Sequence, residues 1–137
     1  MTKTTFRTTI SPMLSVREAA KAVEFYKKAF GAVELHRVSS PNGDIVAELA
    51  VDDARFLVAD ESPEHSNFSP QSLGGSSVRI SLLVADPDSV ANRAVSVGAT
   101  EIFPVADKPW GFRQGRVLDP FGHHWLISRP ITDFVSG

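Results

Sequence analysis

Between Arg17 and Phe30 the apolar residues recur at helical spacing, and Ala19, Ala22, Val23, Phe25, Tyr26, Ala29 and Phe30 share one broad face. This predicts an amphipathic helix, with Gly31 as its left-handed C-cap. Ser15-Val16-Arg17-Glu18 has the spacing of a capping box at its start. Before it, Thr8 to Val16 is β-leaning, with Pro12 marking an edge or bulge. After it come three strands, Ala32 to Val38, Ile45 to Val51 and Arg55 to Ala59. Pro41-Asn42-Gly43-Asp44 carries a hairpin signal between the first two of these.

The second half repeats this grammar. Val78 to Val84 is a β-prone run, and Asp86-Pro87 supplies an N-cap followed by a proline at the first helical position. Val90, Ala91, Ala94 and Val95 form the apolar face of a shorter helix, closed by Gly98. Strands follow at Ala99 to Val105, Arg113 to Leu118 and His123 to Ser128, the last two joined by the turn Asp119-Pro120-Phe121-Gly122. The chain therefore reads as two βαβββ modules, 8–60 and 78–129, joined by a linker at 61–77. Rich in Ser, Pro, Gly and His, the linker is expected to be a mobile loop. The expected fold class is α+β.

Composition narrows the chemistry. The 137 residues suit one compact domain, and the absence of cysteine removes disulfide scaffolds, thiolate metal sites and cysteine nucleophiles. A formal charge of −2, with acids and bases interspersed, leaves no electrostatic footprint for nucleic acid. No apolar run approaches a membrane span, and no apolar signal-peptide core follows the start. A cytoplasmic protein facing small molecules is expected.

The paired modules, opened by SPMLSVREAAKAVEFYKKAFGA and closed by GRVLDPFGHHWLI, resemble the vicinal oxygen chelate superfamily. That superfamily contains glyoxalase I, bleomycin-resistance proteins and extradiol dioxygenases. Within it the chain is most similar to the PhnB-like glyoxalase/bleomycin-resistance group. The resemblance covers about residues 9 to 129. It implies a curved, cup-shaped mixed sheet with helices outside, commonly in a homodimer whose cavities draw on both modules.

In metal-dependent members of that superfamily, four inward-facing strand positions hold a divalent ion through His, Gln or Glu. Carried over to this chain they fall on Ser11, Leu57, Arg79 and Leu126. Leucine has no donor atom, arginine repels a cation, and a lone serine hydroxyl binds divalent ions weakly. A one-residue register shift offers nothing better. The adjacent His123 and His124 point to opposite faces of a strand and cannot chelate one ion together. A turn-stabilising role is the simpler reading of that pair. His36 and His65 read as surface residues. No metal and no cofactor are expected.

If the ligand positions that the resemblance implies point inward, strand alternation gives the rest of the cup lining: Thr9, Ser11 and Met13; Arg55, Leu57 and Ala59; Arg79, Ser81 and Leu83; His124, Leu126 and Ser128. The opposite phases, including Leu14, Val16, Phe56, Val58, Ile80, Leu82, Trp125 and Ile127, should form the core. Glu48 shares the cup face with Val46 and Ala50. It reads either as a general base or ligand acceptor, or as a strand charge paired with Arg79 or Arg55. Arg79 suits an anion through a forked contact. The group's Trp-Gly-Asp-Arg-Tyr-Gly-Arg-Val run appears here as Trp110-Gly111-Phe112-Arg113-Gln114-Gly115-Arg116-Val117, which makes the mouth more apolar. Trp110 and Phe112 can stack on a flat ligand or on Arg113, or pack at a dimer seam.

The leading expectation is metal-independent binding of a small organic ligand in a homodimer cavity. Trp110 and Phe112 would be apolar walls, Glu48 and Arg79 polar anchors, and Leu126 part of the lining. Three alternatives stay open: a metal-dependent lyase, isomerase or dioxygenase; a metal-free lyase or isomerase using Glu48; and a protein acting only through its dimer surface.

Overall fold

The structure is a computed structural model that describes residues 5–132. The first four residues, and the tail beyond 132 for which the sequence carries no element signal, lie outside it. The first module runs β1 (Met13–Val16), α1 (Ala19–Phe30), β2 (Val33–Ser39), β3 (Ile45–Val51) and β4 (Ala54–Asp60). A 3-10 turn (Pro63–His65) and a single helical turn, α2 (Pro70–Leu73), follow. The second module runs β5 (Arg79–Leu83), α3 (Pro87–Ser96), β6 (Thr100–Asp107), β7 (Phe112–Leu118) and β8 (His124–Pro130). Each module closes a four-stranded mixed sheet, ordered β1-β4-β3-β2 in one and β5-β8-β7-β6 in the other. The first strand of each pairs in parallel with the last, and the remaining pairs are antiparallel. The α+β architecture with two βαβββ modules is thus observed.

Sequence and structure part in three places. First, β1 begins at Met13 rather than Thr8. Residues 5–12 form no regular element and Ile10 is fully exposed. Pro12 has no N–H to extend the ladder, so its carbonyl accepts one last bond, from Leu57 N–H at 2.9 Å. Ser11 consequently lies outside the sheet.

Second, the capping box does not form. Ser15 is in β1, and Glu18 flanks α1 without a side-chain cap bond. Asp60 takes over from the end of β4. Its Oδ1 accepts from Ala19 N–H at 2.9 Å, and its Oδ2 accepts from Ile45 N–H at 2.8 Å.

Third, the linker has its own structure. Glu61 accepts from Ser69 N–H at 2.9 Å and from the Ser72 hydroxyl at 2.8 Å, Arg17 lies 3.6 Å away, and Ser69 is fully buried.

Other local signals are met. Gly31 adopts φ 69° and donates to Lys27 O, and Asp86 caps α3 by accepting from Ser89 N–H. One continuous core spans both modules. Helix α1 packs on β3, β4 and α3, while α3 packs on β6, β7 and β8. Trp125 of β8 meets Tyr26, Phe30 and Phe56 of the first module at ring distances of 5.4, 4.7 and 5.5 Å. Leu14, Val16, Phe56, Val58, Leu82, Trp125 and Ile127 are buried as the alternation requires. The opposite face of each sheet is largely open, although Ala50 and Ser128 on it are buried, Ser128 contrary to the expected cup lining.

Candidate functional site

The open face of the second sheet follows from the register. Leu126 stands opposite Arg116 across the β7–β8 pair and opposite Ser81 across the β5–β8 pair. Arg79 stands opposite His124, and Phe103 of β6 opposite Arg116. Side chains at paired positions share a face. Arg79, Phe103, Gln114, Arg116 and Leu126 therefore converge, and the β6–β7 hairpin brings Lys108 and Trp110 over them. They enclose a pocket of about 270 Å³, floored by the Gly115 backbone. Gly115 is required there, because a Cβ would come 2.6 Å from Val105 Cγ2 and 2.9 Å from Val105 N.

Three of the side chains singled out from the sequence, Arg79, Trp110 and Leu126, line this one pocket. The other two do not. Phe112 starts β7 opposite Pro130, beyond the pocket's edge, and the second aromatic wall is Phe103. Glu48 lies on the open face of the first sheet, opposite His36 and Leu57, with Arg55 Nη1 3.7 Å from its Oε1. It therefore pairs with Arg55 rather than joining Arg79. Arg113 projects to the helix side, not toward the aromatics. Its guanidinium forks onto Asp88 at 2.7 Å and reaches Asp107 at 3.0 Å, holding the Asp88 carboxyl below its usual range through those hydrogen bonds.

Sequence reading missed Phe103, Lys108, Gln114 and Arg116. Alternation along β7 carries the signal for Gln114 and Arg116, since both share the phase of Leu118. The approach of β6 and its hairpin is a tertiary matter.

The pocket's electrostatics are one-sided. Arg79, Lys108 and Arg116 line it and no carboxylate does. Among the described residues, none of the three has an ion pair. Their one side-chain hydrogen bond among the described residues runs from Arg116 Nε to His124 Nδ1, at 3.2 Å. His124 is held below its ordinary value by burial first and by the Arg116 charge second. The larger groove near β1, about 490 Å³, is lined mainly by apolar and small groups such as Pro12, Met13, Phe68, Leu73 and Val78, and by no arginine, lysine or carboxylate.

The histidines of the closing turn divide as their adjacency demands. His123 is buried. Its backbone N–H donates to Asp119 and its Nε2 lies 3.0 Å from Ser15 O, tying the turn to β1. His124 faces the open side.

Residues 9–127 match the sequence model of the Glyoxalase/Bleomycin resistance protein/Dioxygenase superfamily. The chain belongs to that superfamily. It is 42% identical over 128 residues to the uncharacterized protein Rv0887c of Mycobacterium tuberculosis, covering 90% of this chain and 75% of that one. The crystal structure of the Arabidopsis thaliana At5g48480 product superposes with a TM-score of 0.70 at 32% identity, covering 90% of this chain and 99% of that one. The fosfomycin resistance protein FosX of Listeria monocytogenes, solved with Mn(II) and sulfate, shares the fold (TM-score 0.67) at 14% identity, covering 91% and 93% of the two chains.

The positions that the resemblance aligns with the superfamily's metal ligands are Ser11, Leu57, Arg79 and Leu126. Leu57 opposite Met13 and Leu126 opposite Ser81 are equivalent points of the two modules, and Arg79 opens β5 as Ser11 precedes β1. Two leucines, a guanidinium and a serine outside the sheet do not fit a divalent ion. Among the described residues no group of three or more His, Asp or Glu side chains could hold one elsewhere.

Proposed function

We propose that this superfamily member is a metal-independent binder of a small organic ligand, held in the pocket between Arg79, Phe103, Trp110, Arg116 and Leu126. One observation carries this reading. The positions that would grip a metal in metal-dependent relatives instead supply a guanidinium and a leucine to a pocket walled by aromatics. Apolar walls with a few placed polar groups are what a small-molecule site needs, and the modest volume suits a small ligand. The PhnB-like group is the subgroup assignment that the Trp110–Val117 run supports.

The working form is a cytoplasmic homodimer. Val33, Val38, Val46 and Met13 on the first sheet, and Leu83, Phe103 and Trp110 on or beside the second, are exposed large apolar side chains. Apolar surface of this kind favours burial against another copy. The absence of cysteine is compatible with a reducing interior, and no helix among the described residues is long and apolar enough to cross a membrane.

The experiment is elemental analysis of protein purified without chelator, followed by thermal-shift screening of organic compounds in EDTA. Sub-stoichiometric metal and a raised Tm with at least one compound in EDTA are expected. Stoichiometric Ni, Zn, Mn or Fe would overturn the reading in favour of a metal-dependent enzyme.

A further inference from the structure

The pocket's charge is out of keeping with the rest of the chain. The protein carries a formal charge of −2, yet the side chains around this cavity bring three cations and no acid. Elsewhere several cations are matched by acids. Arg113 has Asp88 and Asp107, Lys27 and Arg37 share Glu34, and Arg17 has Glu61. Even on the open face of the first sheet, Arg55 has Glu48.

At the pocket this matching stops. Asp107, the acid nearest in sequence to Lys108, is turned to the helix side by Arg113. Arg116 and Lys108 are half-buried, where a cation lacking a counter-charge is costly. Among the described residues the Arg116 guanidinium makes one hydrogen bond, from Nε to the His124 Nδ1 lone pair, and none through its terminal nitrogens. Arg79 and Arg116 both line this pocket because they flank β8 on its two sides, Arg79 opposite His124 and Arg116 opposite Leu126. Trp110 and Phe103, 60% and 54% exposed, present apolar faces beside these cations.

Resting on the small-molecule reading above, we infer that the ligand is an organic anion: a carboxylate, or an oxyanion of like geometry, attached to a flat apolar body. The anionic group would sit between the Arg79 and Arg116 guanidinium groups with Lys108 at the rim. The ring would lie against Trp110, Phe103 and Leu126. Guanidinium groups bind planar oxyanions by paired N–H donors, and aromatic faces accept flat apolar bodies at little entropic cost. A cationic ligand meets three like charges, and a neutral one leaves them uncompensated.

The test is a titration of the full-length chain with three probes that share one ring: 2-naphthoate, 2-naphthamide and 2-naphthylmethylammonium. Calorimetry gives the affinities. The naphthoate is expected to bind about tenfold or more tighter than the amide, the scale of one hydrogen-bonded charge contact, with the ammonium weakest. Arg79→Met and Arg116→Met should each remove most of that preference, weakening the naphthoate far more than the amide, whose carbonyl loses only a neutral-acceptor hydrogen bond. Amide and naphthoate binding equally, or the ammonium binding best, would overturn the anion assignment and leave the small-molecule reading standing. No binding of any probe at millimolar concentration would overturn both. Naphthoate preference in a protein that also carries stoichiometric metal would support the anion assignment and sink only metal independence.

Discussion

Tyr26 of the first module donates its hydroxyl proton to Asp119 of the second, Oη to Oδ2 at 2.5 Å. Asp119 is 3% exposed and accepts three further bonds: from Trp125 Nε1 at 2.9 Å, Phe121 N–H at 2.9 Å and His123 N–H at 3.0 Å. The Asp-Pro-Phe-Gly turn is thus more than a connector. It places a fully satisfied carboxylate in the core, where it locks α1 of one module to β8 of the other.

Removing that lock should be measurable. Tyr26→Phe keeps the ring contacts with Phe30, Phe56 and Trp125 but deletes one charge-assisted donor. The expected cost is about 1.5–3 kcal/mol in urea unfolding. The pH dependence has a defined sign. Tyr26 is raised well above its ordinary value of 10.0, by burial first and by the Asp119 charge second. A raised acid contributes stability in full below the unfolded value. That contribution is lost as the pH rises from about 10 toward the folded value. Tyr26 is the only tyrosine, so absorbance at 295 nm should show no phenolate near pH 10 until the protein unfolds. Ionisation at pH 10 in the folded state would contradict the assignment.

Asp60 caps α1 from outside the helix and also holds the start of β3. Asp60→Ala leaves two backbone N–H groups without a partner, and a loss of about 1–2 kcal/mol is expected. Ser15→Ala should cost far less, because Ser15 is not the cap. Equal losses in the two variants would restore the capping-box reading.

Gly115→Ala tests the pocket floor. The added methyl meets the Val105 backbone as well as its side chain, so rotamer change alone cannot relieve the clash. Separation of β6 from β7 is expected, with a stability loss of about 1–3 kcal/mol and weaker ligand binding. Amide chemical shifts in β6 would show the displacement, and an unchanged spectrum would argue against this floor.

His124 should titrate below 6.5. Burial and the Arg116 charge, with a smaller push from His123, outweigh the opposing pull of Asp119. A lowered histidine contributes stability above its unfolded value, and that contribution is lost as pH falls below about 6.5 toward the folded value. Protonation also removes the Nδ1 lone pair that accepts from Arg116. NMR titration of the imidazole should show the depressed value. Arg116→Met should move it back up, and no movement would mean that the two groups are not coupled.

Periodicity alone was enough for the two modules, for the helix over Ala19–Phe30 and for the buried phases of β4 and β8. These depend on spacing within single elements, which local sequence carries directly. The cap of α1, the two-acid clamp on Arg113, the meeting of Arg79 with Arg116 and the separation of Glu48 from both were decided only in three dimensions. Asp60 lies 41 positions beyond Ala19, whose N–H it accepts from, and Tyr26 and Asp119 stand 93 positions apart. Such pairings arise when one core is closed across two modules, and no periodicity within either half encodes which residues of the other half they will meet.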